Sequence, residues 1–297
     1  MSGAAQTGLE FPTIDAVADA LRYGGYLADE ATATTAYLAA RLGRPLLVEG
    51  PAGTGKTELA RAMAEVTGTR LVRLQCYEGL DETKVLYEWN YRKQLLGLQA
   101  ARDAEGTLRA ELEDIFSEAF LLPRPVLDAI RSPEPVVLLI DEIDRVEMET
   151  EALLLEVLSD FQVTIPELGP IRAVTRPFTV LTSNATRELS EALKRRCLYL
   201  WLDYPSPERE HAIVMAKVPG IDATLASQVV QTVQAIRAMD LRKRPSIAET
   251  LDWAATLVEL ALDPADAAVV AATLGTLLKH RADHIEVRRE LGVDIGD

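Results

Sequence analysis

The sequence predicts an α/β fold, a parallel sheet between helical layers, followed by an all-α domain. Three observations carry this expectation. Short apolar runs alternate with helix-patterned segments through the first two thirds of the 297 residues, the pattern of a sheet with helices on both faces. A glycine-rich stretch, "GPAGTGKTE", joins the first apolar run to the first helical pattern. After Tyr204 the strand signals stop, and the remaining apolar segments carry helical spacing.

The strand candidates are "PLLVE" (Pro45 to Glu49), "RLVRLQC" (Arg70 to Cys76), "PVVLLID" (Pro135 to Asp141), "FTVLTSN" (Phe178 to Asn184) and "CLYLWL" (Cys197 to Leu202). Most are continuously apolar, which suits strands buried on both faces. Between them lie the helical patterns "TELARAMAEVTG", closing on a capping glycine at Gly68, "METEALLLEVLSDF" and "RELSEALKRR". The later segments "PSPEREHAIVMAKV", "TLASQVVQTVQAIRAM", "SIAETLDWAATLVELAL" and "DAAVVAATLGTLLKHR" are separated near Pro219, Gly220, Pro245 and Pro264. The expected domains are therefore 1–204 and 205–297. Two stretches fit neither pattern and read as insertions, one near 78–106 and a hairpin near 161–175 around "PELGP".

Composition narrows the functional classes. The chain carries a formal net charge of −15, which repels a phosphate backbone and argues against nucleic acid as a partner. No run is long and apolar enough to span a bilayer, and "MSGAAQTGLEFPT" has neither a basic start nor an apolar core, so the expected location is cytoplasmic, away from membranes. Cys76 and Cys197 are the only cysteines and belong to no metal-type spacing.

The chemistry concentrates at the glycine-rich stretch. Gly50, Gly55, Lys56 and Thr57 fill the G-x-x-x-x-G-K-[ST] template, with Pro51, Ala52, Gly53 and Thr54 inside it and Glu58 following. Glycines let backbone N–H groups converge on phosphate oxygens, and the helix opening at Lys56 directs its positive end at them. The lysine adds a charge and the threonine hydroxyl suits Mg²⁺. The run "VVLLIDEID" ends a buried strand in two carboxylates; Asp141 would join the Mg²⁺ shell and Glu142 would polarise a water for attack on the γ-phosphate. "VLTSN" delivers Asn184 to the same edge, where its amide would orient that water or contact the γ-phosphate; a turn residue is the other reading. "LKRRC" places Arg195 and Arg196 at a helix end, where they also complement the helix dipole.

The order of these parts, phosphate loop, "LLIDEID", "TSN", "RRC" before a last strand, then a helical lid, resembles an AAA+ ATPase, a P-loop NTPase, over nearly the whole chain. The stretches "CYEGLDETKVLYEWNYRKQLL", "EVLSDFQVTIPELGPIRA", "RRCLYLWLDYPSPERE" and "PSIAETLDWA" are similar to the MoxR branch, most to members that accompany carbon-monoxide-dehydrogenase-type molybdenum enzymes. The resemblance implies a homo-oligomeric ring, usually a hexamer, with ATP between subunits and an arginine acting in trans. Arg196 is the first choice for that finger and Arg195 the second. It also implies an adenine site near Tyr26 and Leu27, whose other reading is the core of an N-terminal helix. A lid arginine in a Ser-Pro-Arg pattern is not met, because Ser246 stands at that place; Lys243 and Arg244 are the nearby cations. Trp89 and Tyr91 in "YEWNY" read equally as anchors for a partner or as packing for their own helix.

The implied function is ATP hydrolysis driving chaperone-like remodelling or maturation of a protein client, with a von Willebrand factor A domain adaptor and a metalloenzyme client. A P-loop kinase acting on a small molecule and a nucleotide-gated binding switch are the competing readings. Phosphate release without an acceptor, and ATP-dependent assembly, separate the ATPase from the kinase.

Overall fold

The structure, a computed structural model, describes residues 8–103 and 115–293; side chains are described for these except 99–103. The end of the expected insertion near 78–106, and both outer ends of the expected domains, lie outside the described residues. By its internal contacts the chain divides into two compact units. One comprises the chain up to Gly24, Ala28–Glu49 and Thr57–Trp201; the other comprises Gly25–Leu27, Gly50–Lys56 and the chain from Leu202.

The first unit is built on a five-stranded sheet of β1 (Leu46–Glu49), β2 (Arg70–Gln75), β5 (Val136–Asp141), β8 (Phe178–Ser183) and β9 (Leu198–Trp201), in the order β2-β5-β8-β1-β9. All their pairings are parallel, so the predicted parallel sheet is present. Continuous apolarity has its expected consequence: β1, β5 and β8 are buried at every position, whereas the edge strands β2 and β9 each expose some residues. Helices α1 (Ile14–Tyr23), α2 (Glu30–Leu42) and α3 (Lys56–Thr67) are entered or followed by short connections. Thr13 and Asp29 cap the first two through their side chains, and Gly43 closes α2 in a left-handed conformation.

Two smaller sheets decorate this unit. Strands β3 (Tyr87–Trp89) and β4 (Leu121–Pro123) pair antiparallel, as do β6 (Gln162–Ile165) and β7 (Gly169–Arg172). Trp89 is buried in the main core, and its ring meets Tyr87 and Phe116 edge-on. Of the two readings for Trp89, packing within its own unit is the one realised. Tyr91 is exposed. Tyr26 and Leu27 lie in the connection between α1 and α2, so the alternative that placed them in an N-terminal helix does not hold.

The pattern "RELSEALKRR" yields a helix over Glu191–Lys194 only. The residues ahead of it spend their N–H groups elsewhere. Asn184 and Thr186 N–H donate to Asp144 Oδ2 at 3.2 and 3.0 Å, and Ser190 N–H donates to Glu151 Oε1 at 2.9 Å. Ser190 then caps the helix, its hydroxyl accepting from the Leu193 N–H, so the helix opens at Glu191.

The second unit is helical from Pro207 onward, with helices Pro207–Lys217, Ala223–Arg237, Ile247–Leu260, Ala267–Leu277 and Arg281–Glu290. Its core gathers Val214, Val229, Val233, Trp253, Leu257 and Leu274. A buried ion pair crosses it: Arg237 donates from both Nη atoms to Glu210 at 2.8 and 2.9 Å and from Nε to the Pro245 carbonyl at 2.9 Å. The Thr250 hydroxyl and the Gln234 amide complete the Glu210 carboxylate, and the Tyr204 ring stacks under the guanidinium.

Candidate functional site

In the first unit, β5 delivers the two carboxylates. Asp141 is its last residue and is buried; the next residue, Glu142, turns the chain with φ +60° and ψ +49°. A left-handed conformation at a non-glycine residue costs about 1–2 kcal/mol. Strain of this kind persists where the surroundings over-determine the backbone. Here the Glu142 N–H is held by the Thr182 hydroxyl at 2.9 Å. The same hydroxyl donates to Asp141 Oδ1 at 2.6 Å, so one β8 side chain fixes both members of the pair.

Thr57, in the first turn of α3, donates its hydroxyl to Asp141 Oδ1 at 2.9 Å. The structure therefore brings together the two residues expected around a divalent cation. Arg73 of β2 reaches Asp141 Oδ2 through Nε at 3.1 Å and Nη2 at 2.6 Å. Glu142 is half-buried and takes Gln75 Nε2 at 3.1 Å and Arg145 Nε at 3.1 Å. Asn184 follows β8 directly and is half-buried, its backbone N–H held by Asp144. Burial pushes the Asp144 carboxyl up, but the hydroxyl and N–H of Thr186 and the N–H of Asn184 outweigh it and hold the group below its ordinary range.

Arg195 and Arg196 are both exposed, directly after helix Glu191–Lys194. Their carbonyls, with that of Cys197, accept hydrogen bonds from the Arg44 guanidinium. The Arg196 side chain donates to the Ser159 hydroxyl and, at 2.9 Å, to the Ala192 carbonyl.

In the second unit, the loop Gly50–Lys56 is held in a shape that its glycines permit. A Cβ on Gly50 (φ +151°) would lie 1.9 Å from the Leu202 carbonyl oxygen, and one on Gly53 (φ +73°) would lie 2.3 Å from Ser246 Oγ. Thr54 is buried and donates to the Pro51 carbonyl at 2.9 Å, while Ala52 is exposed. The Lys56 ammonium folds onto the Gly50 and Pro51 carbonyls at 2.8 and 2.6 Å. Tyr26 is buried with its ring edge 3.7 Å from where a Gly55 Cβ would stand, and the Leu27 carbonyl accepts from Arg209 Nη2 at 2.8 Å. Glu58 sits half-buried in the first turn of α3.

Several participants carry no motif in the sequence. Thr182 was one residue of an apolar run, and Arg73 and Gln75 alternated with buried Val72 and Leu74 in a way that also describes an ordinary edge strand. Their link to β5 exists only through the β2–β5 register, which sets Gln75 opposite Asp141. Ser246 carried a signal that could have found one of its roles, the S-x-x-E capping box with Glu249.

A parallel sheet whose first strand leads through this loop into a helix, with a hydroxyl–carboxylate pair at the end of β5, one strand removed from β1, defines a P-loop nucleoside-triphosphatase fold. Residues 45–197, more than half of the chain, match the AAA domain (dynein-related subfamily), and the chain belongs to that family. It is 27% identical over 257 residues to an uncharacterized protein of Staphylococcus aureus (strain bovine RF122 / ET3-1), covering 84% of this chain and 87% of the other. It is 26% identical over 239 residues to an uncharacterized protein of Staphylococcus haemolyticus (strain JCSC1435), covering 78% and 82%. Among solved structures, a point mutant of RuvB from Thermotoga maritima superposes with a TM-score of 0.50 at 18% identity, over 98% of this chain and 86% of that one. That likeness speaks to the fold alone.

Proposed function

We propose that the chain is a Mg²⁺-dependent ATPase working in a homo-oligomeric ring, whose hydrolysis drives remodelling or maturation of a protein client. The observation that carries this reading is the 2.9 Å bond between Thr57, opening α3, and Asp141, ending β5. It joins the phosphate-loop helix to the acidic strand end. Thr57 and Asp141 offer the hard oxygen donors that Mg²⁺ takes, alongside phosphate oxygens of the nucleotide. Bound there, the ion supplies charge neutralisation on the β- and γ-phosphates.

The remaining roles follow from residue chemistry. The N–H groups of Gly50, Ala52, Gly53, Thr54, Gly55 and Lys56 wrap the phosphates, while Pro51, which has no N–H, shapes the loop; the Lys56 ammonium exchanges its loop carbonyls for phosphate oxygens. Glu142 takes a proton from the attacking water, and Asn184 positions that water. Tyr26 and Leu27 contact the base, and Glu58 supports the loop from the first turn of α3. Arg196 of a neighbouring copy, or Arg195 after it, meets the transferring phosphoryl group. Assembly as a hexamer in the MoxR manner, a von Willebrand factor A domain adaptor, a metalloenzyme client and a cytoplasmic setting belong to the same proposal, on the family resemblance. Among the described residues no helix is long and apolar enough to cross a membrane.

The test is a pair of variants. Glu142→Gln should bind ATP as wild type does and release phosphate at least about a hundredfold more slowly, the usual loss with a general base. Arg196→Ala should bind ATP and hydrolyse it as poorly; full turnover in that variant would remove the finger assignment and point to Arg195. Phosphate transfer only to an added small acceptor, without assembly, would replace the ATPase with the kinase reading.

A further inference from the structure

The two oxygens of Asp141 carry different loads. Oδ1 accepts two hydroxyls, Thr57 at 2.9 Å and Thr182 at 2.6 Å. Oδ2 is covered by the Arg73 guanidinium, at 3.1 Å from Nε and 2.6 Å from Nη2. The carboxylate is 4% exposed, whereas the Arg73 side chain is 42% exposed. The acid is fixed, and its cation stands with one side in water at the sheet edge, since β2 is the outer strand next to β5. Solvent rehydrates a guanidinium placed that way as it departs, and only an incoming cation can compensate the buried carboxylate it leaves.

Both Arg73 and a divalent cation seek the same buried negative charge. Two cations sharing one carboxylate in a partly buried site repel each other, and the ion with two charges and the phosphate oxygens behind it gains more. The hydroxyl bonds can stay in place through an exchange: Thr57 gives its proton to Oδ1 and keeps its own lone pairs, while Oδ2 parts only with Arg73. We propose that Arg73 is the resident counter-ion of Asp141, displaced when the divalent cation enters, and thereby sets how tightly the site holds that cation. This rests on the reading that Thr57 and Asp141 hold Mg²⁺. By linkage the coupling is reciprocal: the metal frees Arg73, and Arg73 weakens the metal. The opposite arrangement, in which Arg73 orients Asp141 while the metal is bound, predicts the opposite sign.

Mn²⁺ serves as the probe, since it shares the oxygen preference of Mg²⁺ and its free fraction is countable by electron paramagnetic resonance. The full chain is saturated with ADP and titrated with Mn²⁺ as wild type, Arg73→Met, Arg73→Gln, Arg73→Lys and Asp141→Asn. Met keeps the aliphatic stem and Gln keeps polarity, so loss of fold in one leaves the other to decide. We expect Mn²⁺ to bind roughly tenfold more tightly in both neutral variants, within the usual range for two coupled ligands, with Arg73→Lys returning toward wild type. Unchanged or weaker Mn²⁺ binding in the folded neutral variants overturns the inference while the metal site stands. If the wild type holds no Mn²⁺ that Asp141→Asn abolishes, the metal reading itself fails and takes the inference with it.

Discussion

Single residues here are fixed by what touches their backbone. Gly50 has no room for a methyl group, because the obstacle, the Leu202 carbonyl, is main chain and cannot rotate away. Gly50→Ala should therefore lose about 3 kcal/mol or more of stability, read as a lowered urea midpoint, together with loss of nucleotide binding. A second residue-scale consequence concerns acid. Asp144 is held below its ordinary value of 3.8 because hydrogen bonds from Thr186 and Asn184 exceed the opposing effect of burial. Glu151 is held below 4.5 in the same sense, burial again opposed by Ser190 and Arg187. A carboxyl depressed in the folded chain contributes stability that is complete above its unfolded pKa and lost as pH falls through the folded one. Thermal stability should thus decline as pH drops below about 4.5. Asp144→Asn should be less stable at neutral pH, with a shallower decline in acid, and an unchanged slope would place the acid sensitivity elsewhere.

Elements were legible in proportion to how much of their stabilisation is local. Strands β1, β5 and β8 are readable because burial on both faces demands a mostly apolar run, with the polar residues gathered toward the strand ends of β1 and β5. The three residues of β4 did not, since "LLP" becomes a strand only through its pairing with Tyr87–Trp89, more than thirty residues earlier. The loop and both carboxylates of the candidate site were readable because phosphate chemistry restricts residue type at fixed spacing. Thr182 and Arg73 were not, because their function is conferred by register between strands distant in sequence. The same holds in the helical unit, where Glu210, Arg237 and Thr250 sit on three different helices and meet only in the folded core. Glu210 is fully buried, so Arg237→Met strands an unpaired carboxylate and should cost about 3–5 kcal/mol. Adding Glu210→Leu should recover most of that loss, since a buried pair replaced by apolar groups is close to neutral. Failure of the double variant to recover would mean that the Arg237 bond to the Pro245 carbonyl, which precedes the Ser246 cap, matters more than the ion pair.

At the scale of the whole molecule, charge and assembly pull against each other. Each copy carries −15, so bringing copies into a ring accumulates like charge at separations comparable to the screening length, about 8–10 Å at moderate salt. The trans-arginine reading supplies a local attraction of opposite sign, an exposed Arg195–Arg196 pair meeting the phosphates of a neighbour. Salt weakens both, and the sign of its net effect tells which dominates. The global term sums over every charge on every copy, whereas the local term involves one or two arginines per interface. Assembly of Glu142→Gln with ATP and Mg²⁺ should therefore be favoured as salt rises from about 10 to 150 mM. In Arg196→Ala the same salt dependence should persist around a weaker association, because only the local attraction has been removed. Analytical ultracentrifugation across that range reads both. Assembly that instead dissolves steadily with added salt in Glu142→Gln, and loses that dependence in Arg196→Ala, would show that a few arginine–phosphate contacts outweigh the charge of the entire chain.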